Sequence, residues 1–264
     1  MAASFGDLRD RTLSGVAMAA IGIGAVWAGG WVFQGLVGVL VALMVWELAR
    51  MLDAGAPFGK AEASGFSAGV ALLVFVNQLS GLALLGVLAL AVALLAWRFA
   101  RDRALAGGYL ALILLAGLAL IVMRGAFGWE WVLWLVLVVI GSDVGGYFAG
   151  RMFGGPKLWP RVSPKKTWSG TVAGWVLALG VGWAMMGPLG AGSGILLASV
   201  LLAMAGQAGD IAESALKRHA GVKDSSALIP GHGGFMDRFD AMITAAVMFL
   251  LLAETGVIGA VILD

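Results

Sequence analysis

Cysteine is absent from this chain of 264 residues. That excludes disulfides, thiolate metal sites and nucleophilic cysteine chemistry. Charge is scarce too: Asp, Glu, Lys and Arg make up 12% of the chain, against roughly 25% in soluble domains. Histidine occurs only as His219 and His232, and no H-E-x-x-H zinc motif is present. A G-x-x-x-x-G-K-[ST] phosphate loop is missing as well. The net charge of +2 is nearly balanced, and no basic stripe interleaves with aromatics, so a nucleic-acid partner is excluded.

What fills the chain is apolar. Hydrophobic residues reach 61% and the mean hydropathy is +0.98. A hydrocarbon core of ~30 Å needs ~20 apolar residues per crossing. Such runs fall at about 12–29, 31–48, 63–79, 81–97, 105–123, 129–149, 168–187, 191–209 and 238–258. The expected fold class is therefore all-α: a polytopic integral membrane protein with about nine transmembrane helices. The first run lacks a small-residue cleavage pattern and reads as a retained helix. With a cytoplasmic N-terminus, segments 1–11, 49–62, 98–104, 150–167 and 210–238 face the cytoplasm and hold 16 of the 17 Lys and Arg. Only Arg124 falls outside, and that asymmetry sets the expected orientation.

Two parts of one continuous membrane domain are expected, 1–128 and 129–264. The first is built of apolar hairpins. Gly29-Gly30 and Ser80-Gly81 mark tight turns. Trp27, Trp31, Trp46 and Trp97 stand near span ends, as an aromatic belt would place them. Glycine pairs such as Gly22 and Gly24 read as helix-packing elements. Glu47 and Asp53 lie among Arg50 and Lys60, and surface pairing accounts for them.

Beyond residue 129 the character changes. Asp143 lies near the cytoplasmic end of a span, one turn before Tyr147. An acid at that depth needs a partner, a metal or a polar cavity, or it snorkels from the helix end. The loop 150–167 then supplies Ser163, Lys165, Lys166 and Thr167 around the start of the next helix. Helix N-termini favour anions, and lysine adds point charge for phosphate, although a positive-inside anchor would use the same residues.

The stretch from Asp210 to Asp240 concentrates the remaining chemistry. Asp210, Glu213 and Lys217 line one helical face, with Arg218 beside it. Lys223 and Asp224 follow in a loop, then His232 flanked by glycines, with Gly233 and Gly234 able to bring N–H groups close to an oxyanion. Asp237, Arg238 and Asp240 open the last span. Hard carboxylate oxygens without cysteine suit Mg²⁺, and Asp210 and Asp237 on two helices could share a cation. Lysines and arginines nearby complete the inventory for phosphoryl or nucleotidyl transfer.

The run S-A-L-K-R-H-A-G-V-K-D-S-S-A-L-I-P-G-H-G-G-F-M-D-R-F-D, Ser214 to Asp240, resembles the signature of the CDP-diacylglycerol synthase (phosphatidate cytidylyltransferase) family. The preceding G-D-I-A-E-S, Ser163-Pro-Lys-Lys-Thr167 and Asp143-x-x-x-Tyr147 resemble further elements in the same order. The likeness covers about 140–245. One departure is Trp168-Ser169-Gly170, where an acid is expected before the glycine. The resemblance implies an inner-membrane enzyme of phospholipid biosynthesis, with its active site facing the cytoplasm. It would join CTP and phosphatidate to give CDP-diacylglycerol and pyrophosphate, with Mg²⁺ and room for a second cation. It implies metal ligation by Asp210 and Asp237, with Asp143 or Asp240 close by. Lys165, Lys166, Lys217, Arg218, Lys223 and Arg238 would bind phosphate groups, while Glu213, Asp224 and His232 orient groups. A homodimer is also implied. A CTP-using polyprenol kinase is the nearest rival. A CDP-alcohol phosphotransferase lacks its D-G-x-x-A-R motif here, and a transporter would place polar residues near several span centres.

Overall fold

The computed structural model describes residues 5–53, 59–99, 101–256 and 258–259, with side chains described from residue 12 onward. Within a bilayer only internally hydrogen-bonded backbone is tolerated, so apolar runs of this length become helices. Nine α-helices form among the described residues: α1 (Phe5–Ala28), α2 (Gly30–Leu52), α3 (Lys60–Gln78), α4 (Gly81–Trp97), α5 (Arg103–Val122), α6 (Trp129–Met152), α7 (Trp168–Leu189), α8 (Gly194–His219) and α9 (Met236–Glu254). Each sits on one of the nine expected runs. Five of these segments are long and apolar enough to cross a membrane: Gly30–Leu52, Arg103–Phe127, Trp129–Met152, Trp168–Leu189 and Gly194–His219. The chain is an all-α membrane protein with one small addition, a hairpin of β1 (Lys157–Trp159) and β2 (Ser163–Thr167). Residues 1–11 and 54–58, expected in cytoplasmic segments, lie wholly or in their side chains outside the described residues, as do 100 and 257.

Two compact units divide the chain, Met1–Ile121 with Ala220–Phe239, and Val122–His219 with Asp240–Asp264. In the first, α2 and α3 pack most extensively. Gly69 lies so close to α2 that an added Cβ would stand 2.7 Å from the Gly38 carbonyl oxygen, and Gly65 is tighter still against Ala42. Gly22 and Gly24, by contrast, have no neighbour among the described residues within 4 Å of where a Cβ would go, so they do not pack against another described helix of this chain. The α1–α2 turn is made at Gly29, whose φ of 64° is a left-handed conformation that favours glycine. Trp27, Trp31 and Trp97 are exposed at helix ends, as a belt requires. Trp46 instead donates its indole N–H to Glu62 Oε1 at 2.9 Å.

The second unit is built on α6, α7 and α8. Small residues let their backbones approach. A Cβ at Gly174 would meet the Ser142 carbonyl oxygen at 2.9 Å, and one at Gly182 would meet the Ile195 carbonyl oxygen at 3.1 Å. Trp134 is fully buried at the centre of this unit. Its ring packs edge-on to Trp131 and Phe249, and its N–H donates to Ser199 Oγ at 2.9 Å, satisfying the one polar atom it buries.

Candidate active site

In the second unit, the hairpin delivers the residues that precede α7. Lys157 pairs with Thr167 and Trp159 with Ser163 across the two strands. Thr167 is buried and caps α7, its Oγ1 accepting the Gly170 N–H at 3.2 Å. Ser169, at the departure from the family pattern, donates to the Gly154 carbonyl at 2.5 Å and ties the loop to the helix start. Strand alternation separates the two lysines: Lys165 is exposed, whereas Lys166 turns inward.

Lys166 Nζ lies 2.5 Å from Asp210 Oδ2 and donates to the Gln207 carbonyl at 3.4 Å. Gln207 is itself fixed, accepting from the Trp175 indole at 2.9 Å and donating to the Thr171 carbonyl at 3.3 Å. Asp143 on α6 and Asp240 on α9 are close enough to Asp210 to interact with its charge. One turn beyond Asp210, Glu213 is buried and paired with Lys217 at 2.5 Å. The close approach of α8 and α9 is permitted by Gly209, which lies against Thr244 and the Asp240 carbonyl. Four carboxylates, Asp143, Asp210, Glu213 and Asp240, and two ammonium groups, Lys166 and Lys217, are therefore found in this unit. Among the described residues no three His, Cys, Asp or Glu are grouped tightly enough to hold a metal ion unaided.

In the first unit, the segment between α8 and α9 folds into a tight turn. Ile229 and Gly233 form an antiparallel bridge, and Gly233 takes a φ of 84°. His232 Nδ1 is 2.9 Å from Ser14 Oγ on α1, and Arg238 Nε donates to the His232 carbonyl at 3.0 Å. Asp237 Oδ2 accepts from Ser225 N at 2.9 Å, Ser225 Oγ at 2.9 Å and Gly234 N at 2.8 Å. The oxyanion that the Gly234 N–H meets is thus the chain's own carboxylate. Lys223, Asp224 and Arg238 are exposed in this segment, as is Arg218 at the end of α8.

Sequence reasoning missed Glu47. Of the expected surface pairing, Asp53 and Lys60 meet at 2.9 Å. Glu47 is fully buried and accepts from Ser225 Oγ at 3.1 Å, Ser226 Oγ at 2.6 Å, Phe235 N at 2.9 Å and Met236 N at 2.7 Å. Burial of a carboxylate is tolerable only with donors of this kind, which the nearby Arg50 does not supply. The signal was present: Glu47 falls inside the apolar run 31–48, where an acid must have a partner.

Residues 9–255 match the model described as the cytidylyltransferase family. A phosphatidate cytidylyltransferase of Brucella abortus biovar 1 (strain 9-941) is 33% identical over 270 residues, covering 97% of this chain and 98% of its own. One from Brucella suis biovar 1 is 33% identical over 93% of both chains. One from Staphylococcus saprophyticus is 42% identical over 131 residues, covering 48% of this chain and 50% of its own. With the match spanning both units and every element of the site, the chain belongs to the cytidylyltransferase family.

Proposed function

We propose that this chain transfers a cytidylyl group from CTP to phosphatidate, leaving CDP-diacylglycerol and releasing pyrophosphate. One bond forms, between a phosphate oxygen of phosphatidate and the α-phosphorus of CTP. One breaks, between that phosphorus and the oxygen bridging to the β-phosphorus, and its electron pair leaves with pyrophosphate. The lipid supplies its own nucleophile, so the protein's work is positioning and charge neutralisation. The observation that carries this reading is the Lys166–Asp210 pair, with Asp143 and Asp240 within range of its charge, in a chain of this family.

Lys166 binds triphosphate in this account, with exposed Lys165 beside it on β2. Lys217, Arg218, Lys223 and Arg238 neutralise further phosphate charge. Glu213 holds Lys217 in place through their 2.5 Å pair. Asp210 and Asp237 are the proposed ligands of a divalent cation, with Asp143 and Asp240 as further oxygen donors. A bound Mg²⁺ would neutralise charge on the phosphate oxygens. The site is proposed to face the cytoplasm from the inner membrane, an orientation supported by the 16 of 17 basic residues on that side. A homodimer belongs to the same proposal.

The bond assignment is open to test with phosphatidate carrying oxygen-18 in its phosphate. Mass spectrometry should find the isotope in CDP-diacylglycerol and none in pyrophosphate. Heavy oxygen in the pyrophosphate would overturn it.

A further inference from the structure

Glu47 is a buried ionisable group that the reaction above does not use. Its carboxylate, on α2, collects four donors from residues 178–189 positions later in the chain. Two of these are backbone N–H groups at the start of α9. Met236 opens that helix, so its N–H has no acceptor within it, and the 2.7 Å bond to Glu47 Oε2 provides one. A negative group at a helix N-terminus is also favoured by the helix dipole. Glu47 therefore acts as the cap of α9, supplied from α2.

The same carboxylate reaches Asp237 through one atom. Ser225 Oγ lies 3.1 Å from Glu47 Oε2 and 2.9 Å from Asp237 Oδ2, so the two carboxylates share its one hydroxyl proton. Gly234 adds an independent mark of this fit. A Cβ there would collide with Ser225 Oγ and Glu47 Oε1, so only glycine lets the turn close over the carboxylate. The Gly234 N–H then points to Asp237 Oδ2 at 2.8 Å. Ser225 and the start of α9 are held by Glu47, and Ser225 and Gly234 donate to the Asp237 carboxylate.

We propose that Glu47 is a positioning residue for cytidylyl transfer, holding the 225–236 turn in the one conformation that presents Asp237. The proposal rests on the function argued above. Its effect is on the orientation of a proposed cation ligand, and substrate is bound by other residues.

The test uses the full-length protein in detergent, as wild type, Glu47→Gln and Ser226→Ala. Glutamine keeps the volume but replaces one acceptor oxygen with an amide that cannot accept. Amide hydrogen exchange in 225–236 should accelerate by about tenfold or more in Glu47→Gln, while exchange in α3 and α6 stays at the wild-type rate. Its kcat should fall by about tenfold or more, with KM for CTP within about threefold of wild type. Ser226→Ala removes a single donor and should shift both readouts in the same direction by less. Wild-type kcat in Glu47→Gln would overturn the proposal. So would faster exchange throughout α2 and α3, which marks a structural prop alone. Wild-type protein without cytidylyl transfer would defeat the functional reading instead, and the exchange data would still report whether Glu47 holds the turn.

Discussion

An ammonium 2.5 Å from a carboxylate, as Lys166 is from Asp210, is neutralised before any substrate arrives. Under the proposed function, triphosphate would have to draw Lys166 away from Asp210. With Asp143 and Asp240 within range of Asp210's charge, removing the amine would leave three acids to repel the phosphates of the proposed substrate. Lys166→Ala should therefore raise KM for CTP by about tenfold, with a smaller loss in kcat. Steady-state kinetics would check this, and a collapsed kcat at unchanged KM would assign Lys166 to the transition state instead. The residues of this cluster were legible in the sequence because an acid or lysine stands out where charge is rare. Glu47 was discounted for the opposite reason. Arg50, three positions on, offered a local partner, while the true partners lie 178–189 positions away. No local pattern encodes a contact over that separation.

Helix packing carries the second unit, and its glycines make a graded prediction. A Cβ at Gly170 of α7 would press on the Gly146 carbonyl of α6 and stand 3.3 Å from Thr167 Oγ1. At Gly180, on the same helix, a Cβ meets nothing within 4 Å among the described residues. Gly170→Ala should destabilise by about 1–3 kcal/mol, as overpacking does, while Gly180→Ala is neutral or slightly stabilising through helix propensity. Thermal unfolding in detergent would separate them, and equal melting temperatures would contradict the packing described. The sequence could not make this distinction. It offers 41 glycines without a fixed period, and which face of a helix meets a neighbour is decided only by tertiary structure. Gly22 and Gly24 show the cost of reading packing from spacing alone. The hairpin was also hidden: Ser163–Thr167 were legible as donors ahead of α7, but the strand that turns Lys166 inward and Lys165 outward depends on pairing with Lys157–Trp159.

Across the whole molecule, the nine apolar runs coincide with nine helices among the described residues, five of them in segments long and apolar enough to cross a bilayer, where thickness sets length and the absence of water sets helicity. Those constraints act locally, so sequence expresses them well. The assignment of Ala220–Phe239 to the same unit as Met1–Ile121 is of another kind. It follows from Glu47, Ser14 and the turn they hold, and nothing in the composition of either segment announces it. Family membership extends over residues 9–255 and therefore takes in both units. The central claim is that the α-phosphoryl group of CTP, with its cytidine, passes to phosphatidate. It is tested most directly by giving the purified protein phosphatidate and CTP labelled separately at the α and γ positions. The account predicts α label in the lipid product and γ label in released pyrophosphate. Label entering lipid from the γ position alone would contradict it and identify a kinase.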